Sequence, residues 1–206
     1  HEALELLKFR NYSPKLEQDY GKIILISTVK EIEKNIINRL SMTKRLSKII
    51  FTSKKKDINS ILNDLMDINI GDKNFAIRQI GNNKLDSEKT AILIGKKISD
   101  KNKTNLNNPE VTILFHRNNQ FFLSLTYSNW KTGYKRCLKH HISHRPYFSP
   151  IGIHPRIARA MINLSNCNEN ESLIDPFCGT GGILIEGADM GLNVIGIDFK
   201  EKMIEF

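Results

Sequence analysis

The chain has 206 residues, of which 40% are hydrophobic and 26% charged, with a formal net charge of +9. This balance is typical of a folded protein and argues against wholesale disorder. The absence of any run of about 18 apolar residues argues against a transmembrane helix, and the charged first twenty residues lead us to expect no secretory signal. Three scattered cysteines do not make a disulfide framework, so we expect a reducing, cytoplasmic location.

The charge is unevenly distributed along the chain. Residues 151–206 contain four Lys or Arg and eight Asp or Glu, a net charge of −4, so residues 1–150 carry +13. A basic region suits nucleic acid, because neutralising phosphates gives sequence-independent affinity. A solvated, lysine-rich surface would have the same composition, and charge alone does not separate the two interpretations.

Residues 1–127 alternate strands and amphipathic helices in two similar βαβ-like passes, which predicts one or two small α/β units. Asn118 and Asn119 join the last two strands, and asparagine accepts the positive φ of a tight hairpin. Asp57 is a plausible N-cap of one helix, and a later helix begins at about Asp86. The predicted strands are 22–27, 46–52, 74–80, 111–115 and 120–125, and the predicted helices are 29–40, 57–66 and 86–98.

Residues 128–150 have no clean hydrophobic period and contain aromatic residues, prolines and histidines. We interpret them as an ordered linker, in which Trp130 and Tyr134 dock onto a domain or stack on a base. Side chains that bind metals cluster here, but no second ligand pair follows at the distance of a zinc finger, so we expect no metal site. These side chains are Cys137, His140, His141 and His144.

From residue 153 the pattern becomes that of the first βαβ unit of an open parallel sheet. Strands are predicted over 172–174 and 193–197, with a helix over 183–190 between them that Gly191 caps. An earlier helix begins at His154, and four of its apolar residues share one face: Ile157, Ala160, Met161 and Leu164.

The sharpest feature is the run Asp-Pro-Phe-Cys-Gly-Thr-Gly-Gly from Asp175 to Gly182, which ends a strand and opens a helix. Ligands bind at this place in doubly wound sheets, and glycines let a ligand lie on the backbone. The next strand ends nineteen residues after Gly179 with Asp198, whose carboxylate can accept both hydroxyls of a ribose.

Three kinds of ligand compete for this turn. A triphosphate needs the lysine of a P-loop, and no Lys or Arg occurs between Arg159 and Lys200. A dinucleotide prefers a third glycine, which is missing, and Asp175 would repel a pyrophosphate. S-adenosylmethionine carries a cationic sulfonium and a protonated amino group that Asp175 would attract, so we favour it. The remaining alternative is an ordinary turn that contains glycines by chance and has no role in ligand binding.

The chain resembles a known family. Residues 175–182 are similar to the first motif of class I methyltransferases, in the form shared by guanine-N2 RNA methyltransferases. Residues 144–160 closely resemble the linker that enters the catalytic domain of the archaeal tRNA guanosine-10 N2-methyltransferase family. Residues 75–78, 108–111 and 121–125 are similar to a THUMP domain, which a ferredoxin-like domain precedes in that family.

The resemblance implies an α/β protein with an α+β N-terminal RNA-binding region. That region would comprise a ferredoxin-like domain over 1–70 and a THUMP domain over 71–127, followed by a linker over 128–152. Residues 153–206 would begin a Rossmann-like class I methyltransferase domain. The implied reaction transfers a methyl group from S-adenosyl-L-methionine to the exocyclic N2 of a tRNA guanosine, with position 10 favoured. We expect tRNA as partner, no membrane partner and a monomer.

The resemblance also implies roles for single residues. Asp175, Gly179 and Gly181 would line the methionine part of the cofactor, and Asp198 would hold its ribose. Thr180 would bond the methionine carboxylate or only shape the turn. Apart from the resemblance, four basic side chains are candidates for contacts with RNA phosphates, with a solvated role as the alternative: Arg78, Lys135, Arg136 and Arg145.

The chain departs from the family in one respect. The family catalyses with an Asp-Pro-Pro-Tyr motif, and no Pro-Pro pair occurs in these 206 residues. The N2 lone pair of guanine is delocalised into the purine, so positioned groups must accept its hydrogens during methyl transfer. We therefore expect a fragment that is inactive by itself. The open alternatives are a related enzyme for another tRNA position or for 23S-type rRNA, and a non-catalytic RNA-binding THUMP module.

Overall fold

A computed structural model of the protein describes residues 1–81, 86–117, 119–145 and 152–201. Its helices are α1 (Glu2–Phe9), α2 (Lys34–Arg39), α3 (Ile58–Asn63), α4 (Ser87–Gly95), α5 (Gly133–Arg136), α6 (Pro155–Leu164) and α7 (Gly182–Asp189). Its strands are β1 (Lys15–Asp19), β2 (Ile24–Ser27), β3 (Lys48–Ser53), β4 (Phe75–Gln79), β5 (Val111–Arg117), β6 (Phe121–Tyr127), β7 (Ser172–Asp175) and β8 (Asn193–Gly196). Within the described ranges, no helix has the length and apolar character needed to cross a membrane.

The chain forms two compact units. The first comprises His1–Lys44 and Lys131–Phe206, and the second comprises Arg45–Trp130. These bounds differ from the predicted boundary at residue 70, because β3 pairs with β6 and therefore belongs to the second unit. The assignment of ferredoxin-like and THUMP domains stays a prediction.

The second unit is built on a four-stranded mixed sheet in the order β3-β6-β5-β4. β4 and β5 run parallel, whereas β5 and β6 form an antiparallel hairpin. The predicted strands are confirmed, and Asn118 of the predicted hairpin turn lies outside the described residues. The core of this unit includes Ile61, Ile94, Ile113, Phe115 and Leu123.

Two helices of the second unit begin where the sequence predicts, and each has an aspartate cap, of which only that at Asp57 was predicted. Asp57 Oδ2 accepts a hydrogen bond from Ser60 N at 2.7 Å, and Asp86 Oδ1 accepts one from Lys89 N at 3.0 Å. The last turn predicted for the first of these helices is absent, since α3 ends at Asn63 and Met66 is exposed.

The two similar passes predicted for residues 1–127 are not present. β2 pairs antiparallel with β1, whereas β3 lies in the sheet of the other unit. Every residue of β1 is exposed and most are charged, so its sequence carries no strand period. The helix predicted over 29–40 is shorter, because α2 begins only at Lys34.

The first unit contains the predicted parallel βαβ unit. β7 and β8 pair in parallel from Ser172 opposite Asn193 to Asp175 opposite Gly196, and α7 connects them. The apolar core here includes Ile162 of α6, with Met190 and Leu192. α6 also packs against α1.

The apolar face predicted for α6 is largely the exposed one. Ile157, Met161 and Leu164 are each nearly half exposed, whereas Arg159 and Asn163 are buried. Beside the buried Ala158 and Ile162, the helix therefore buries two polar side chains, which bond to other elements of the unit. Hydrophobic periodicity alone cannot reveal such a face.

A buried polar network joins the first residues of the chain to α6. The carboxylate of Glu2 accepts four hydrogen bonds, from Ser41 N, Ser41 Oγ, Met42 N and Asn163 Nδ2. Arg39 Nε donates to Asn163 Oδ1 at 3.2 Å, and burial lowers the pKa of Arg39 to about 10. These hydrogen bonds hold residues 1–44 against α6, and they satisfy the buried carboxylate of Glu2.

α6 begins at a histidine cap. His154 Nδ1 accepts a hydrogen bond from Arg156 N at 3.2 Å, which requires that nitrogen to be unprotonated. Burial, together with the nearby Arg156 and His141, lowers the pKa of His154 below its ordinary value.

We expect this cap to make stability depend on pH. Its contribution is complete above about pH 6.5, the ordinary histidine pKa. The contribution is lost as the pH falls from there through the lower folded-state pKa, because the unfolded chain binds the proton more readily. His154→Asn keeps an acceptor at the cap and should remove this dependence. Urea denaturation at several pH values checks the expectation, with His144→Asn as control; equal pH profiles for wild type and His154→Asn would contradict it.

Candidate functional site

The turn between β7 and α7 has the shape of a ligand cradle. Gly179 has φ +51° and Gly181 has φ +71°, a left-handed conformation that favours glycine. A Cβ atom placed on either residue would meet, among the residues that the structure describes, no further atom within 4 Å. Both glycines therefore border open space in which a ligand can approach the backbone.

Backbone hydrogen bonds tie this turn to the end of β8. Ile197 N donates to Asp175 O at 2.9 Å, and Cys178 N donates to Ile197 O at 2.9 Å. Gly181 N donates to Cys178 O at 2.8 Å. The pairing of β7 with β8 thus continues into the turn and sets the conformation of its glycines.

Asp198 has a structural role that its position in the sequence does not reveal. Its Oδ1 accepts from Lys200 N at 2.9 Å, and its Oδ2 accepts from Gly179 N at 2.8 Å. These backbone bonds lower the pKa of Asp198, so its carboxylate is ionised at neutral pH. Each oxygen keeps a further lone pair, so the same group can hold the turn and accept from a ligand hydroxyl.

The other predicted site residues lie in the same turn. Asp175 Oδ1 accepts from Phe177 N at 3.1 Å. The Thr180 hydroxyl makes no hydrogen bond to any residue that the structure describes, while its carbonyl accepts from Arg145. The structure therefore brings the five predicted cofactor residues together: Asp175, Gly179, Thr180, Gly181 and Asp198.

Two aromatic side chains at the strand ends escaped the sequence interpretation. Phe177 follows β7 and is 81% exposed, and Phe199 follows Asp198 and is 84% exposed. The available signal was an aromatic residue two or three positions after the end of each strand. Cys178, which lies between them in the chain, packs against Gly196. Burial, and then the nearby Asp175 and Asp198, raise the pKa of its thiol, which does not favour a nucleophilic role.

Two carboxylates of α7, those of Glu186 and Asp189, bond to side chains of neighbouring segments and hold the helix in place. Glu186 is fully buried, and its two oxygens bond Arg159 Nη1 and His140 Nδ1, each at 2.8 Å. Asp189 accepts from Arg136, Arg159 and Lys139. Burial opposes the ionisation of Asp189, but these hydrogen bonds outweigh it and lower its pKa to about 2.

Part of this network has the composition of a metal site. Ligand-type atoms of His140, Glu186 and Asp189 lie within 4.8 Å of one another. Arg159 bonds both carboxylates, and Arg136 and Lys139 add to Asp189, so cationic side chains already balance the acidic charge. Among the described side chains, the predicted cluster of Cys137 and three histidines does not converge as a ligand set. The expectation of no metal stays a prediction.

The four predicted phosphate contacts lie in different settings. Arg78 is exposed on β4 of the second unit and donates to Leu106 O at 2.7 Å. Lys135 is exposed on α5. Arg136 and Arg145 instead bond groups at the two ends of α7. A role in RNA binding stays a prediction for all four.

Comparison with known proteins relates the chain to RNA-modifying enzymes. Residues 143–206 match a family model described as RMKL-like, methyltransferase domain. The chain is 30% identical over 208 residues to the tRNA (guanine(10)-N2)-dimethyltransferase of Pyrococcus abyssi, covering 99% of this chain and 60% of that protein. It is 29% identical over 228 residues to the tRNA (guanine(10)-N2)-dimethyltransferase of Methanocaldococcus jannaschii, covering 98% and 64%. The tRNA (guanine(6)-N2)-methyltransferase of Archaeoglobus fulgidus is 31% identical over 144 residues, covering 64% and 35%.

These matches confirm the resemblance to the archaeal tRNA guanosine-10 N2-methyltransferase family. The predicted α/β class is also confirmed, since the described residues form a mixed sheet and a parallel βαβ unit. The chain spans less than two thirds of the length of each of these relatives.

Proposed function

We propose that the chain is the RNA-binding and cofactor-binding part of an S-adenosylmethionine-dependent tRNA guanine-N2-methyltransferase, with guanosine 10 as the favoured target. The observation that carries this proposal is the open glycine turn with Asp198 bonded to Gly179 N at 2.8 Å. The names of the relatives supply the substrate class.

The residues of the turn fit this cofactor. The open space at Gly179 and Gly181 admits a ligand, and the carboxylate of Asp175 suits a sulfonium and a protonated amino group. Asp198 retains acceptor capacity for the ribose hydroxyls. Phe177 and Phe199 offer apolar surface for a purine ring. When bound, S-adenosylmethionine supplies an electrophilic methyl group.

The protein's own groups at this site bind and orient rather than accept protons. Asp198 is already engaged by two backbone N–H groups, and its lowered pKa makes it a poor base. The Cys178 thiol stays protonated because its pKa is raised. We therefore assign cofactor binding to this turn and no proton transfer.

The basic residues suit tRNA as the substrate. Residues 1–150 carry a net charge of +13, and exposed cations such as Arg78 and Lys135 can neutralise phosphates. We assign the grip on RNA to this part of the chain, including the predicted THUMP region over 71–127. Shape and phosphate contacts, rather than base readout, would then place the tRNA.

Methylation of unmodified tRNA transcripts by the full-length protein tests the proposal. We expect one or two methyl groups on N2 of guanosine 10, located by mass spectrometry, and none on a matched transcript with adenosine at that position. Methylation of guanosine 6 would favour the second candidate, which the Archaeoglobus fulgidus relative supports. Cofactor binding without methyl transfer to any tRNA or rRNA would leave an RNA-binding module. Binding of NAD or ATP, but not of S-adenosylhomocysteine, would overturn the proposal.

A further inference from the structure

The segment from Arg136 to Arg145 runs along α7 from its last residue toward its first. Arg136 Nη2 and Lys139 Nζ bond Asp189 Oδ1 at 3.0 and 3.1 Å, at the C-terminal end of the helix. His140 Nδ1 lies 2.8 Å from Glu186 Oε1, about one helical turn closer to the glycine turn. Three side chains of one short segment thus bind the helix that follows the glycine turn.

Arg145 completes this series at the beginning of α7. Its Nε donates to His140 O at 2.9 Å, and its Nη1 donates to Thr180 O at 3.4 Å. A Cβ atom on Gly182 would lie 3.5 and 3.6 Å from its two terminal nitrogens. The guanidinium therefore rests on the first residue of α7 and bridges the segment to the glycine turn.

This position is unsuitable for a contact with RNA. Arg145 Nη2 is buried and has no hydrogen-bond partner among the described residues, and burial lowers the pKa of Arg145. The other two guanidinium nitrogens, Nε and Nη1, donate to the backbone carbonyls of His140 and Thr180. A phosphate would need an exposed nitrogen, whereas a rigid planar fork suits the bridging of two fixed acceptors.

We propose that Arg145 is a positioning residue for the cofactor site, which holds the glycine turn through Thr180 O, and that it does not contact RNA. This inference rests on the proposed function, since it assumes that the turn binds S-adenosylmethionine. It replaces the role that the sequence predicts for this arginine. The segment from Arg136 to Arg145 thereby links the position of α7 to the affinity of the glycine turn for S-adenosylmethionine.

Calorimetry with S-adenosylhomocysteine and tRNA on the full-length protein tests this role. We expect Arg145→Gln to weaken S-adenosylhomocysteine binding about tenfold, the effect of losing a charge-assisted bond. Affinity for tRNA and its salt dependence should remain those of wild type, which also shows that the variant is folded. In turnover, the KM for S-adenosylmethionine should rise more than kcat falls.

Two further variants separate positioning from a phosphate contact. Arg145→Lys keeps the charge but loses the fork, so it should not restore cofactor affinity, whereas a phosphate contact would tolerate lysine. Lys135→Gln removes a nearby exposed cation and should leave S-adenosylhomocysteine affinity unchanged. Unchanged cofactor affinity in Arg145→Gln, or a parallel loss of tRNA affinity, would overturn the inference. If wild type itself does not bind S-adenosylhomocysteine, the proposed function fails instead.

Discussion

Arg159→Met is expected to lower the free energy of unfolding by about 3–5 kcal/mol, the cost of leaving a buried charge without its partner. Arg159 is 2% exposed and its Nη1 lies 2.8 Å from Oε2 of the fully buried Glu186. The same nitrogen bonds Asp189 Oδ2 at 2.9 Å, so one substitution removes a cation shared by two carboxylates. Urea denaturation of wild type and variant measures the difference.

The double variant Arg159→Met with Glu186→Gln provides the control. Glutamine removes the buried charge but keeps an oxygen that can accept from His140, so the double variant should lose less stability than Arg159→Met alone. A loss below about 1 kcal/mol in the single variant would show that the pair contributes no more than an exposed salt bridge.

Asp198→Ala is expected to weaken S-adenosylhomocysteine binding by about 1–3 kcal/mol, roughly 5-fold to 150-fold in Kd. The substitution removes the acceptor for Gly179 N and for Lys200 N, so the turn loses its support as well as the proposed ribose contact. Calorimetric titration of the full-length protein measures the effect.

Two further variants serve as controls for the effect expected of Asp198→Ala. Asp198→Asn keeps one acceptor oxygen without the charge, so its loss of affinity should be smaller than that of alanine. Glu169→Ala removes an exposed carboxylate elsewhere in the same unit and should leave the affinity unchanged. Equal affinity for wild type and Asp198→Ala would remove Asp198 from the site.

Local signals predict much of the fold. Asp57 and Asp86 mark helix starts because a side-chain acceptor satisfies a free backbone N–H within three residues. The run from Asp175 to Gly182 identifies the strand–turn–helix, because positive φ at Gly179 and Gly181 is a local requirement. Five candidate cofactor residues are therefore found from sequence, since they lie in one turn and at the end of the next strand.

Long-range contacts account for what the sequence interpretation missed. β1 has no hydrophobic residue facing a core, so only its pairing with β2 defines it as a strand. Arg159 and Asn163 are polar yet buried on α6, because their partners Glu186 and Glu2 arrive from distant parts of the chain.

The sequence by itself determined the class of fold, the resemblance to a known family and the position of the glycine turn, because each depends on residue type and spacing within short stretches. Only the tertiary structure decided which charges pair. Arg136 and Arg145 are of the residue type expected to contact phosphates. In the structure, Arg136 bonds Asp189 and Arg145 bonds the Thr180 carbonyl, so both lie against α7. Asp198 likewise acquires its hold on Gly179 from the parallel pairing of β7 with β8. A charged side chain acts through whatever lies within a few ångströms of it, and chain folding sets that neighbourhood.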